Sequence, residues 1–485
     1  MKLSLEEFLS QKNQFQLGDL TTEKFHPDTV GLRELATNDP STALKKLKSV
    51  DLKAFEKYGK IKNKLKPLIK DLSNHEGRIF LVGCGATGRL VLHLEKYARM
   101  QSIDNIFSLM AGGDAALIKS IELVEDFESL GKKHLMEFNP SPSDLVIGVT
   151  EGGETSYVIG AVMAARDICK RAPYILYCND DQDLIATCER SKKFIEDENI
   201  KNISINIGPM ALAGSTRMQA STILHMALGK CLFNEDEKGL ISALERFDES
   251  SLTKMMNREK NLFLENKSCI YKTCTKFGLS VLTDTTERSP TFGLDPFENL
   301  NDKNFVESFN HLEIAGVFDN KTAWSSLLSR DPRELLWNEL QGRSSFNTIN
   351  GFKIFDGHTK NRKKEYEYFE IRYSENHFEF SLMDENLTIC CAGLNYFSQS
   401  IFLKIILNIY STCLMATVDR FESNIMTWVR SSNYKLIDRS VRYARMLLIQ
   451  KGINPSYDEV AKLVMELEVT QDESVVEKVV SFFKG

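Results

Sequence analysis

The sequence predicts an α/β protein built from two doubly wound parallel sheets, and three observations carry that prediction. Short apolar runs alternate with amphipathic helical patterns through the first half, which is the rhythm of parallel strands joined by crossover helices. The second half repeats that rhythm as a recognisable copy. A chain of 485 residues, 42% of them hydrophobic, also exceeds one ordinary core and favours two or more domains.

Taken in order, residues 1–75 read as an N-terminal helical segment, including "STALKKLKSVDLKAFEKYGKIKNKLKPLIKDL". Residues 76–235 form the first α/β domain, with strand candidates "RIFLV", "IFSLMA", "DLVIGVT", "YILYCN" and "ISINIG". Parallel strands covered on both faces read as continuous apolar runs, and their ligands lie at the carboxyl ends. The charged, helix-like stretch Leu232 to Asn266 is the inter-domain connection, with the boundary near 235–260. Residues 260–430 form the second α/β domain. There "CIYKTCTKFGLSVLTDTTER" echoes "RIFLVGCGATGRLVLHLEKY", with Gly278 matching Gly88, and "EIAGVFDNKTAWSSLLSRDPREL" echoes "LMAGGDAALIKSIELVEDFESL". Lys272, Thr273, Thr275 and Lys276 stand where a phosphate cradle needs small residues, so the copy is a degenerate loop and a structural partner. A helical C-terminal cap runs from 435 to 485.

Composition bounds the partners. With 61 basic and 67 acidic residues and a net charge of −6, the chain lacks the basic excess of a nucleic-acid binder; "KNRKK" (Lys360 to Lys364) reads as a solvated loop. The start "MKLSLEEFLSQ" shows no basic segment followed by an apolar core, and no apolar run approaches a bilayer span. A cytoplasmic protein without membrane contact is the expectation. The ten cysteines, among them Cys84, Cys231 and Cys413 inside apolar runs, read as reduced packing thiols. His93, His311 and His358 are scattered without ligand spacing, "CNDDQD" fails the calcium-loop pattern, and no metal or cofactor is expected.

The chemistry sits in two loops. "VGCGATG" holds Gly83, Gly85 and Gly88 in a G-x-G-x-x-G pattern, but a dinucleotide site also needs an acid ending the second strand, and "IFSLM" runs into "AGGD" instead. What remains is a glycine turn at a helix N-terminus, which offers backbone N–H groups and a positive dipole end to an anion. "LVIGVTEGGETSYVIGAV" is a second such loop, with hydroxyls at Thr150, Thr155 and Ser156. Two loops of this kind on adjacent strands suit a phosphate monoester; a tight turn without ligand is the bland reading.

These residues resemble the sugar isomerase (SIS) domain family, whose phosphate loop reads S-x-S-G-x-T: Thr150 to Thr155 fits with Thr for the first Ser and Gly152 for the second. "TEKFHPDT", "GCGATGRL", "AGGDAALIKSIELVED", "GPMALAGSTRMQASTILHMALGK" and "YSTCLMATVDRFESNIMTWVRSSNYKLIDRSVR" narrow the likeness to one branch, the N-acetylmuramic acid 6-phosphate etherases and the glucokinase regulatory protein. The resemblance implies flavodoxin-like three-layer domains paired as an internal pseudo-dimer. It also implies an anion cradle from Gly85, Ala86, Thr87, Gly88, Thr150, Gly152, Glu154 and Thr155, with Ser215 and Arg217 nearby and Arg420 reaching over from the second copy. Ala86 lacks a hydroxyl usual in the family, and Glu154 puts a carboxylate beside the phosphate. The family's two catalytic glutamates fall on Glu125 and, for the first-copy position, on Tyr97; the second copy supplies Glu287 at the corresponding place. Glu122, one turn before Glu125, would face the same pocket.

Two functions follow. A ligand-controlled regulator or sensor would bind a phosphorylated hexose or amino sugar and change its contact with a sugar kinase. An etherase-type lyase would eliminate D-lactate through Glu125 and Glu287. Tandem copies, Tyr97, Ala86 and Glu154 make the regulator the first reading, and the two glutamates keep the lyase as its alternative. Isomerase and dehydrogenase rank lower, for want of a loop base and of the ribose acid.

Overall fold

Five strands, β1 (Ile79–Gly83), β2 (Ile106–Met110), β3 (Leu145–Val149), β4 (Tyr174–Tyr177) and β5 (Lys201–Ser204), make the first sheet in the order β2-β1-β3-β4-β5, all neighbours parallel. The computed structural model describes residues 4–12, 17–121, 124–429, 431, 433–470 and 473–484. Every residue of β1, β3 and β4 is buried, as helices on both faces require. The strand order reverses between β1 and β3, so the loops after these two strands diverge to opposite faces and leave a crevice at their carboxyl ends.

Helix α1 (Pro40–Ile61) opens with Pro40 in its first turn and Asp39 as cap, accepting from the Thr42 amide at 3.1 Å. Its buried face, Leu44, Leu47, Asp51, Ala54, Phe55 and Tyr58, repeats at helical spacing. Helix α2 (Gly85–Met100) follows β1, α3 (Ser156–Ile168) follows β3, and α4 (Gln219–Phe233) leads out of the first sheet. The chain between the sheets is helical, with Lys238–Arg246 and Thr253–Leu264 after α4.

The second sheet departs from the fully parallel one expected. Its strands β6 (Ser268–Thr273), β7 (Asn310–Ile314) and β8 (Tyr366–Ser374) are parallel, but β9 (His377–Leu382) and β10 (Glu385–Cys390) run antiparallel, in the order β10-β9-β8-β6-β7. The cause is local. Only two residues join β8 to β9, and both have positive φ, Glu375 at 44° and Asn376 at 65°; a turn that short can link only antiparallel strands.

Helix α5 (Gly278–Phe292) follows β6, and α6 (Tyr396–Ala416) crosses behind it. Against the sequence reading, the 21-residue α6 holds an 18-residue window of mean hydropathy 1.3, long and apolar enough to cross a bilayer, yet that window lies wholly buried in the protein as part of a core helix. Helix α5 packs on α2 and α6, so the two sheets meet through helices. Buried ion pairs fasten that seam: Arg89 to Glu287 at 2.5 Å and Arg217 to Asp284 at 3.0 Å. Helix α7 (Tyr434–Ile449) and the helices Tyr457–Glu466 and Val475–Phe482 end the chain.

Candidate functional site

The turn from β1 into α2 explains its glycines. Gly83 lies so near the first turn of α2 that a Cβ there would stand 2.5 Å from the Thr87 carbonyl oxygen. Gly85 has φ +54°, and a Cβ on Gly88 would meet Met110 of β2 at 2.6 Å. The Thr87 hydroxyl closes the turn on itself, accepting from the Cys84 amide at 3.0 Å and donating to the Cys84 carbonyl at 2.9 Å. Its donor is therefore spent on the cap. After β3, the Thr150 and Thr155 hydroxyls bond each other at 2.9 Å, and Gly153 N–H donates to Thr150.

Between these loops and α5 lies a cavity of about 270 Å³. Its walls include Gly85 and Ala86 at the N-terminus of α2, Glu125, Glu151 and Thr155, Ser215 and Arg217 before α4, Glu287 of α5, and Asn433, Lys435 and Arg439 of the C-terminal region. Ser215 Oγ, Glu151 Oε1 and Arg217 Nε are buried there without a hydrogen-bond partner among the described residues. Three orphaned polar atoms on one cavity mark a place for a polar ligand.

Of the residues singled out in the sequence, the structure brings together Gly85, Ala86, Glu125, Thr155, Ser215, Arg217 and Glu287 on this cavity. Thr87, Gly88, Thr150, Gly152 and Glu154 are not among its lining residues: Gly88 packs on Met110, and the Gly152 carbonyl accepts from Asn179 at 2.8 Å. Arg420 is a correction. It lines a separate polar cavity with Phe263, Phe309 and Lys364, its guanidinium carbon 3.9 Å from the Trp428 ring centroid. The chain bends after α6 and turns Arg420 onto those rings, while its neighbours Asp419 and Glu422 pair with Arg33. Glu122 lies outside the described residues.

Glu154 resolves the conflict of a carboxylate near an anion loop by pairing with Lys435 at 2.5 Å and Arg190 at 3.6 Å. Burial opposes its ionisation, but these two cations more than offset it and hold the carboxyl below its usual range. Glu125 accepts from Asn433 Nδ2 and from the Cys84 thiol. Burial, with Glu125 beside it, pushes Asp126 up to about 7, and burial pushes Glu151 up to about 8. Sequence reasoning missed Glu151, Asn433, Lys435 and Arg439. The last two had a signal: Lys435, Arg439 and Arg442 stand at helical spacing on one face of α7.

Three comparisons bear on this site. The family model of the glucokinase regulatory protein N-terminal SIS domain matches residues 60–166. An N-acetylmuramic acid 6-phosphate etherase from Petrotoga mobilis is 35% identical over 217 residues, 44% of this chain and 68% of that protein. Another, from Lactococcus lactis subsp. cremoris, is 30% identical over 274 residues, 53% of this chain and 84% of that one. Among solved structures, tagatose-6-phosphate ketose/aldose isomerase from Escherichia coli is 11% identical with TM-score 0.38, covering 53% of this chain and 65% of its own, too distant to bear on function.

Proposed function

The chain belongs to the SIS-domain family, in the branch of the N-acetylmuramic acid 6-phosphate etherases and the glucokinase regulatory protein, and from that premise we propose that it is a lyase of the etherase type. The observation that carries this reading is that Glu125 of the first half and Glu287 of the second line one cavity. Tyr97, where the first half lacks its acid, is buried and donates to Glu235 at 2.7 Å. Glu287 takes its place from across the seam, which supports two halves working as an internal pseudo-dimer.

In the reaction, one carboxylate accepts a carbon-bound proton of the sugar. The freed electron pair forms the carbon–carbon double bond, and the ether oxygen leaves as lactate with the proton that the other carboxyl delivers. Positioned acid and base groups contribute about 10² to 10⁴ in rate. The phosphate end fits the N-terminus of α2, whose free N–H groups and dipole favour an anion, together with Thr155 and the orphaned Ser215 hydroxyl. Lys435 and Arg439 line the same cavity, each paired with a buried carboxylate, Glu154 and Glu23.

A regulator that senses the same sugar phosphate for a sugar kinase is the second reading. It is favoured by the Arg89–Glu287 pair, which must loosen before Glu287 can handle a proton, and by the regulatory-protein domain matched at 60–166. Incubation with N-acetylmuramic acid 6-phosphate separates the two. D-lactate released above a buffer control is the expected result; binding without release would transfer the assignment to the regulator.

A further inference from the structure

Glu151 stands two residues after β3, in the loop that also carries Thr155, and it lines the cavity with only 8% of its surface exposed. Its Oε1 has no hydrogen-bond partner among the described residues. The charged groups around it come from several elements: Glu154 in its own loop, Glu125 after β2, Glu287 on α5, Arg217 before α4, Lys404 on α6, and Lys435 and Arg439 on α7. Those cations are engaged elsewhere, Lys435 with Glu154, Arg439 with Glu23 at 2.6 Å, Arg217 with Asp284, and Lys404 with the Arg217 carbonyl, Thr222 and Asn408. No ion pair reaches Glu151 among the described residues.

The geometry points to Glu151 as a neutral carboxylic acid that donates its O–H to the anionic group of the ligand, so that the sugar phosphate is bound together with a proton. An ionised Glu151 would be a buried charge without a counter-ion, facing a second anion. The protonated form removes that repulsion and adds a donor on the β3 side of the cavity, beside those of the α2 N-terminus and Ser215. Burial pushes its carboxyl up to about 8, with Glu287 and Glu154 acting in the same direction and Lys435 against it. The sign follows: below that pH the donor is present, and above it each bound ligand must bring a proton from solvent. The inference rests on reading the cavity as a sugar-phosphate site.

The test is calorimetric affinity for N-acetylmuramic acid 6-phosphate between pH 7 and 9, with wild type and Glu151→Gln. A phosphate monoester has its second pKa near about 6, so its charge is constant in that window. Wild type is expected to bind about tenfold more weakly at pH 9 than at pH 7. Glu151→Gln, which keeps the shape and an N–H donor, should hold the pH 7 affinity across the range. A wild type without slope, or a variant with the wild-type slope, overturns the inference and moves the proton to another group such as Asp126. Should the variant fail to fold, proton uptake at pH 8.5, read from binding heats in buffers of different ionisation enthalpy for wild type and Asp126→Asn, decides: uptake that Asp126→Asn retains supports Glu151, and no uptake, or uptake lost in Asp126→Asn, contradicts it. Absence of binding at every pH would remove the proposed ligand along with this inference, whereas binding without proton linkage removes the inference alone.

Discussion

Where β1 turns into α2 the chain reads Gly83-Cys84-Gly85-Ala86-Thr87-Gly88, and where β6 turns into α5 it reads Thr273-Cys274-Thr275-Lys276-Phe277-Gly278. The first turn opens onto a cavity. The second is filled by the protein's own groups: Lys96 of α2 donates to the Thr275 carbonyl at 2.8 Å, the Tyr396 hydroxyl donates to the Lys276 carbonyl at 2.9 Å, and the Lys276 ammonium lies 4.3 Å from the Tyr373 ring centroid. Only the last glycine survives in both. A Cβ on Gly278 would meet Ile314 of β7 at 2.7 Å, as one on Gly88 would meet Met110 of β2. The comparison separates two jobs in one motif: the third glycine packs the helix on the neighbouring strand in either copy, while Gly85, on the cavity wall, belongs to a loop that stays open to a ligand.

Lysines break this comparison most strongly. Lys435→Met leaves Glu154 buried with Arg190 alone, and removing one partner of a buried pair costs about 3–5 kcal/mol; a fall in denaturation midpoint at unchanged slope is the expected readout. Lys276→Met, which loses contacts with aromatic faces and a 3.3 Å bond to Gln399 but no ion pair, should cost about 1 kcal/mol. Equal costs would mean that the two loops are fastened alike.

Gly88→Ala and Gly278→Ala form the next pair. Each forces a methyl against a packed neighbour, and overpacking costs about 1–3 kcal/mol. Similar losses in thermal unfolding are expected for both, and a loss confined to Gly88 would tie that glycine to the ligand rather than to packing.

The smallest effects distinguish cap from cradle. Thr87→Val removes the cap bonds to Cys84 and should lower stability by about 1 kcal/mol with sugar-phosphate affinity retained. Thr150→Val deprives Thr155 of its hydroxyl partner at the cavity wall and should weaken affinity by about 1 kcal/mol. An affinity loss at Thr87 would show that its hydroxyl leaves the cap to meet the phosphate.

Much of the first half was legible because its signals are local. The apolar runs of β1 and β3, the glycine turn and the hydroxyl loop each lie within about one strand and one turn of sequence. Glu287 was legible because the second half copies the first. The antiparallel hairpins were not foreseen, although "EYFEIRYSENHFEF" alternates with period two around Glu375 and Asn376, because the copy rhythm suggested another crossover helix. Arg420 was misplaced because the spacing of α6 does not reveal the bend after Ala416. Lys435 and its pairing with Glu154 depend on tertiary contact between a distant helix and the β3 loop, which no local pattern encodes.

The central claim is that one active cavity is completed across the seam by Glu287, and Glu287→Gln tests it most directly. D-lactate release from saturating N-acetylmuramic acid 6-phosphate should fall at least about 10²-fold relative to wild type, with affinity changed little. Turnover unchanged by Glu287→Gln would contradict a shared site, and a wild type that binds the sugar phosphate but releases no lactate would contradict the lyase itself.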